Sequence, residues 1–286
     1  MTLTPSHRKS IISAANASVN LEGFEISSTL ASQFFDYIAD KLSLSVIASQ
    51  ANLHYSKMLS APNQNRKQAL AQAESDFTRI RIAQVMETTQ YHPSAVSVFD
   101  AEHLKNINAS ILQDMPMYRG GLLRLNKSEH IRSRTCNGGQ DSYVVHYKNS
   151  GVNASDINQA IAKLGDITML QSQPRTVFVD KLAMLYADLD YIHAFNEANS
   201  RTLRLFTSQI ATMAHHTLDW SKVFDYENPR EVLYQARDIA VSKRSFPALD
   251  IASMRDASQS EFEAYETQKK LANAKTLMAV MHEIID

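Results

Sequence analysis

Two apolar runs at helical spacing enclose a polar stretch, and that arrangement constrains the fold of this chain more than any other feature. Leu182, Leu185, Leu189 and Ile192 fall on one helical face, and Leu203, Phe206, Ile210 and Met213 repeat the spacing. Two buried helices are therefore predicted, joined by His193-Ala-Phe-Asn-Glu-Ala-Asn-Ser-Arg-Thr-Leu-Arg204. The joint gathers a histidine, a carboxylate, amides and two arginines between helix ends.

Such a set suits a polyphosphate carrying a divalent metal. Asn199 or Ser200 can cap the second helix, and the unpaired N–H groups of its first turn face an anion. Arg201 and Arg204, one turn apart, can fork onto phosphate oxygens. Glu197 is a ligand of the type Mg²⁺ takes beside substrate phosphates. His193, at the end of the first helix, is placed to deprotonate an incoming hydroxyl.

The stretch resembles the signature of the Fic (filamentation induced by cAMP) family, His-Pro-Phe-x-Asp/Glu-Gly-Asn-Gly-Arg-x-x-Arg. His193, Phe195, Glu197, Asn199, Arg201 and Arg204 agree with it. The resemblance implies transfer of AMP from ATP to a hydroxyl side chain of a target protein. It makes His193 the general base, Glu197 the Mg²⁺ ligand, Asn199 and Arg201 the partners of the inner phosphates, and Arg204 the partner of the γ-phosphate. Ala194 stands in place of the family proline, and Ala198 and Ser200 in place of two glycines. A Cβ at those positions fits where φ is negative, and the Ser200 hydroxyl can add a phosphate contact.

A second motif lies near the amino terminus. Residues 9–22 read as a helix ended by Gly23, with Ser18 and Glu22 pointing the same way. Ser18-Val-Asn-Leu-Glu22-Gly23 is similar to the Ser/Thr-x-x-x-Glu-Gly/Asn inhibitory motif associated with Fic proteins. That similarity implies that Glu22 pairs with Arg204, supported by Ser18, and denies the γ-phosphate its place. Two more helical runs follow, at Leu30, Phe34, Tyr37 and Ile38 behind a Ser27 or Ser28 cap, and at Leu44, Ile47 and Ala51. The first 55 residues resemble the three-helix antitoxins that partner Fic toxins, here joined to the toxin. Residues 56–76, polar around Pro62, read as a linker, and 77–286 as the catalytic domain.

Glycine and proline number only seven each, so the expected fold is all-α, mainly helical, with a short β-hairpin. The hairpin falls between Leu125 and Asn149, where the turn Asn137-Gly138-Gly139 precedes the β-branched and aromatic Tyr143–Tyr147. In the family such a flap docks the target segment by strand addition, and the antitoxin-paired branch points to DNA gyrase and topoisomerase IV as targets. Asp100 is read as the cap of a helix through Leu104 and Ile111, and Arg124 is left ambiguous between packing and function. Asp219-Trp220-Ser221 resembles a segment that anchors the C-terminal helices, and His215 and His216 read as surface histidines.

A net charge of −1 excludes an electrostatic case for nucleic acid or an anionic membrane. Cys136, the single cysteine, excludes an intrachain disulfide. No apolar leader or membrane-spanning run is present, which places the protein in the cytoplasm unless a secretion system reads another signal. Two rival readings keep the fold. One is a nucleotide- or partner-binding module without transfer, motivated by Ala198 and Ser200; the other is a transferase of UMP, phosphate or phosphocholine.

Overall fold

The computed structural model describes residues 3–60, 66–91, 98–115, 117–125, 130–247, 249 and 256–286. Within them the chain is an assembly of helices with one antiparallel hairpin, the all-α class the turn-poor sequence predicts. No described helix is long and apolar enough to cross a membrane.

Helix α1 (Pro5–Asn20) starts earlier than the apolar period indicates. The Thr4 hydroxyl accepts from the His7 amide, and Pro5 sits in the first turn, where its missing N–H costs nothing. The chain turns after Asn20 and reaches Gly23 at φ +84°, where a Cβ would lie 2.6 Å from Nη1 of Arg230. The positive φ favours glycine, and a Cβ there would also make the end of the Arg230 side chain shift. Helix α2 (Ser28–Ile38) is capped by Ser27, whose hydroxyl accepts from the Leu30 amide, and α3 (Leu44–Ser60) follows.

Helix α4 (Arg66–Tyr91) alters the expected organisation. Residues 56–60 close α3 and 66–76 open α4, so the stretch read as a linker is helical on both sides of 61–65. Residues 61–65, including Pro62, lie outside the described residues. The boundary expected at 76/77 falls inside α4, because Ala69, Ala73, Phe77 and Ile80 form one continuous buried stripe. Polar side chains of α4 also grip the turn after α1. Arg79 donates to Asn20 and to the Phe24 carbonyl (2.8 Å), and Ser75 and Gln72 donate to the Glu25 carbonyl at 2.5 and 3.1 Å. Asp76 accepts from the amide and hydroxyl of Ser27 at 3.1 and 2.5 Å.

Asp100 caps α5 (Ala101–Leu112) as predicted, accepting from the His103 amide. The hairpin pairs β1 (Ile131–Cys136) with β2 (Asp141–His146), with Arg134 opposite Tyr143, around a turn in which Gly138 has φ +65°. Residues 126–129, at the start of the region expected to form the flap, lie outside the described residues. Then come α6 (Ala154–Ala162), the single turn α7 (Ile167–Leu170), α8 (Arg175–Ile192) and α9 (Asn199–Met213). A 3-10 segment, Trp220–Asp225, leads to α10 (Pro229–Ser245), α11 (Gln259–Lys270) and α12 (Leu277–Ile284).

One apolar cluster runs from Ile11, Val19 and Tyr37 through Phe77 and Ile80 to Leu104, Phe178, Leu182, Phe206 and Val280. The amino-terminal helices therefore share a core with the helices around the 193–204 stretch. A smaller cluster, with Tyr143, Val145, Tyr147, Ile239 and Leu271, seats the hairpin on α10 and the end of α11.

Candidate active site

The site is built where α8 stops and α9 starts. His193 closes α8 in the left-handed region, at φ +48° and ψ +61°, with its amide still bonded to the Leu189 carbonyl at 3.1 Å. Arg124 holds this ending. Its Nε donates to the His193 carbonyl (3.2 Å), and Nη2 donates to the carbonyls of Ile192 (3.3 Å) and Lys148 (2.8 Å). A buried arginine thus satisfies helix-end carbonyls that have no partner within the helix. Its role, ambiguous in the sequence, is that of a clamp on the loop.

Asn199 departs from its expected place on the phosphates. Its amide turns back on the loop, accepting from the Phe195 amide (2.9 Å) and donating to the Phe195 carbonyl (2.6 Å). Phe195 is buried in the core, and the loop is closed around it. Asn108 of α5 makes a second staple, donating to the Glu197 carbonyl and the Thr202 hydroxyl, both at 3.0 Å, and accepting from the Gly121 amide at 2.9 Å. Sequence reasoning missed this residue. The available signal was an amide on the face shared by Leu104 and Ile111, because a polar group buried among apolar ones needs specific partners.

Neither Asn199 nor Ser200 caps α9. The cap is Ala198, at φ +60° and ψ 20° with no side-chain bond, so the first-turn N–H groups have no side chain closing them off. The negative φ expected for a residue with a Cβ is not what the loop adopts: Ala198 takes the conformation that glycine supplies more cheaply. Ala198→Gly should therefore raise stability by about 0.5–1 kcal/mol, the relief of left-handed strain less the added chain entropy. An unchanged or lower midpoint of denaturant unfolding would contradict that account.

The structure brings both motif arginines against carboxylates. Arg204, 1% exposed, donates from Nη2 to Glu22 (2.5 Å) and to the Ser18 carbonyl (2.6 Å), and from Nε to the Ser18 hydroxyl (3.2 Å). Ser18 acts as acceptor in both of its bonds to Arg204. The other Glu22 oxygen accepts from the Tyr234 hydroxyl at 2.8 Å. Burial alone would raise the Glu22 pKa, but the charges of Arg204 and Arg201 outweigh it and hold the carboxyl at about 2. Arg201 donates from Nη2 to Glu74 of α4 at 2.8 Å, and the second Glu74 oxygen accepts from Tyr118 at 3.1 Å. Nη1 of each arginine is buried without a partner. Glu74, Tyr118 and Tyr234 were not singled out as site residues from sequence, because each reaches the site from a distant helix or turn.

His193 packs against Tyr147, with ring centroids 4.1 Å apart, and against His130 at 4.8 Å. Its Nδ1 is buried without a partner. Burial, then His130, Arg237, Arg132 and Arg124, push its pKa well below the usual 6.5, so the imidazole is neutral at neutral pH. Glu197 is exposed, and its carboxyl is raised by burial of part of the group and by the neighbouring Glu74. Among the described residues no group of three or more His, Cys, Asp or Glu could hold a metal alone. An oxygen donor such as Glu197 fits Mg²⁺ that arrives with phosphate oxygens completing its shell.

Under the arginines, Arg237 and Asp190 form a fully buried two-bond pair at 3.0 and 2.8 Å. Trp220 donates from its indole to the Arg204 carbonyl at 3.4 Å, tying the C-terminal region to α9. A cleft of about 500 Å³ opens between the hairpin and the start of α10, lined by Arg134, Tyr143, Arg230 and Tyr234. Through Tyr234 it reaches the carboxylate that holds Arg204. His215 is exposed and His216 stacks on Phe178, away from this chemistry.

A histidine thus ends one helix, and the next begins without a side-chain cap and carries two arginines in its first two turns. Residues 98–211 match the model of the Fic/DOC family. It is similar to the protein adenylyltransferase VbhT of Bartonella schoenbuchensis, 26% identical over 196 residues. That alignment covers 66% of this chain and 37% of VbhT, so the chain spans well under half of that relative's length. A Fic family protein from Desulfovibrio desulfuricans G20, known from a crystal structure, aligns over 95% of this chain and 66% of its own, with TM-score 0.42 and 16% identity.

Proposed function

We propose that this protein is a self-restrained protein adenylyltransferase. The observation that carries the reading is the pair of unpartnered guanidinium nitrogens, on Arg201 and Arg204, at the open start of α9 beside a neutral, buried His193. Buried donors of this kind are costly unless a ligand completes them, and phosphate oxygens match their charge and geometry.

In this reading ATP lays its phosphates on the first turn of α9, with the nucleoside in the cleft beside Tyr234. Glu197 would hold Mg²⁺, which supplies charge neutralisation of the phosphates. A target hydroxyl attacks the α-phosphorus; His193 accepts its proton, and pyrophosphate departs as the new phosphoester bond forms. Arg201 and the N–H groups of α9 stabilise the charge gathered on the phosphates. Arg204 joins them only when Glu22 lets go, which is the basis of the restraint.

The target segment is proposed to add to β1. Its outer edge has no strand partner among the described residues, and Ile131, Arg132 and Ser133 are exposed. DNA gyrase and topoisomerase IV as targets, a toxin role and a cytoplasmic setting rest on the family resemblance. The left-handed turn at Ala198 forms despite its Cβ. A module that binds nucleotide without transfer, the reading motivated by Ala198 and Ser200, would bind Mg·ATP and leave no label on protein.

Donor chemistry is tested with ATP labelled at either the α- or the γ-phosphorus, incubated with the Glu22→Gly variant and bacterial lysate. Protein-bound label is expected from α-labelled ATP alone, with an added mass matching AMP. Label from the γ-position would make the protein a phosphotransferase instead.

A further inference from the structure

Building on the transferase reading, we infer that Glu74 is a positioning residue for the nucleotide, holding Arg201 by one nitrogen and leaving the other for a phosphate. Glu74 stands on α4, outside residues 98–211 that match the family model. Both of its oxygens are engaged, one by Arg201 Nη2 at 2.8 Å and one by the Tyr118 hydroxyl at 3.1 Å. The side chains of Arg201 and Glu74 are 6% and 12% exposed. The Phe24 ring lies 5.6 Å from the guanidinium carbon. The group is therefore fixed by a carboxylate and an aromatic face, while Nη1 is buried and unpartnered.

Glu22 and Glu74 meet their arginines in similar ways but sit on different supports. Glu22 lies past the end of α1, in a turn that ends at Gly23. Glu74 sits within α4, where Ala73, Phe77 and Ile80 are part of the main core. Its helix is anchored by that core and cannot move away as a terminal turn can, so the contact of Glu74 with Arg201 is expected to persist when Glu22 is released. A contact that persists in the competent state orients the arginine rather than blocking it. A charge-paired guanidinium with one nitrogen pinned keeps little of its rotational freedom, and the ligand then loses less entropy in engaging the other.

The test uses the full chain in the Glu22→Gly background. Glu74→Gln keeps the size of the side chain and removes its charge. KM for ATP in the labelling assay should rise about tenfold or more, with a smaller change in kcat, and calorimetric affinity for Mg·ATP should fall in parallel. Tyr118→Phe, which removes one hydroxyl and spares the packing, should move KM in the same direction by less. On an Arg201→Ala background, Glu74→Gln should add no further loss, because its effect passes through that arginine. Unchanged ATP affinity in Glu74→Gln overturns the inference, as does full additivity with Arg201→Ala. Higher labelling by Glu74→Gln would make Glu74 a second restraint and overturn it too. If the background variant binds ATP without labelling, transfer fails while the affinity comparison still decides the role of Glu74; if it binds none, both fall.

Discussion

Replacing Glu22 by glycine should raise incorporation of label from α-labelled ATP by roughly 10- to 100-fold over the parent protein. The estimate follows from the one contact removed. A hydrogen bond between charged groups contributes about 1.5–3 kcal/mol, and each 1.4 kcal/mol is a factor of ten in population. Glu22 takes Arg204 Nη2 at 2.5 Å, so its loss frees that donor, although the Ser18 carbonyl still holds the group at 2.6 Å. The variant is also left with a buried guanidinium lacking its carboxylate, so its melting temperature should fall, and Mg·ATP should restore more of it than it adds to the parent. Acid is a poor substitute for the mutation. The folded carboxyl sits at about 2 against an ordinary 4.5. The contact therefore contributes fully above the ordinary value and is lost only as pH falls from there toward 2. Parent and variant labelling equally would remove the restraint from the account.

In the same Glu22→Gly background, His193→Ala should lower labelling by about 10²–10⁴-fold, the usual contribution of a positioned general base. Binding of Mg·ATP should survive, because the phosphate contacts lie on α9 and not on the imidazole. The neutral state of His193 is set by burial and by a ring of cationic neighbours, Arg237, Arg132 and Arg124, together with His130. Activity should accordingly persist somewhat below pH 6.5, since the base takes up its proton only at lower pH than an ordinary histidine. Undiminished labelling by the double variant would assign the proton transfer to another group.

Much of this site was legible before any coordinates. The spacing of Leu182, Leu185 and Leu189, and of Leu203, Phe206 and Ile210, marked two buried helices, and all six side chains are buried. Ser18 and Glu22 were expected to face one way from helical period, but α1 ends at Asn20 and it is the turn up to Gly23 that brings Glu22 beside Ser18 at Arg204. What misled was chemistry that depends on distant partners. Asn199 has a side chain of the capping type but stands one residue inside α9, and its amide is consumed by Phe195, because closing the loop requires both backbone groups of that residue to be satisfied. The polar run after Ser56 suggested a tether, but Ala69 and Ala73 lie on one side of a long helix and bury there.

From the order of residues alone came the helical class, the hairpin turn at Asn137–Gly139 and the company kept by His193, Glu197, Arg201 and Arg204, all of which follow from local periodicity and turn chemistry. The Glu22–Arg204 pair was implied by the motif similarity and not by periodicity, and only the folded chain decided that Glu74 meets Arg201. Glu22 and Arg204 are separated by 182 residues and Glu74 and Arg201 by 127, and no local preference spans such distances. A shared apolar core sets those pairings, by pressing α1 and α4 onto the helices of the site until opposite charges, removed from water, had to find each other.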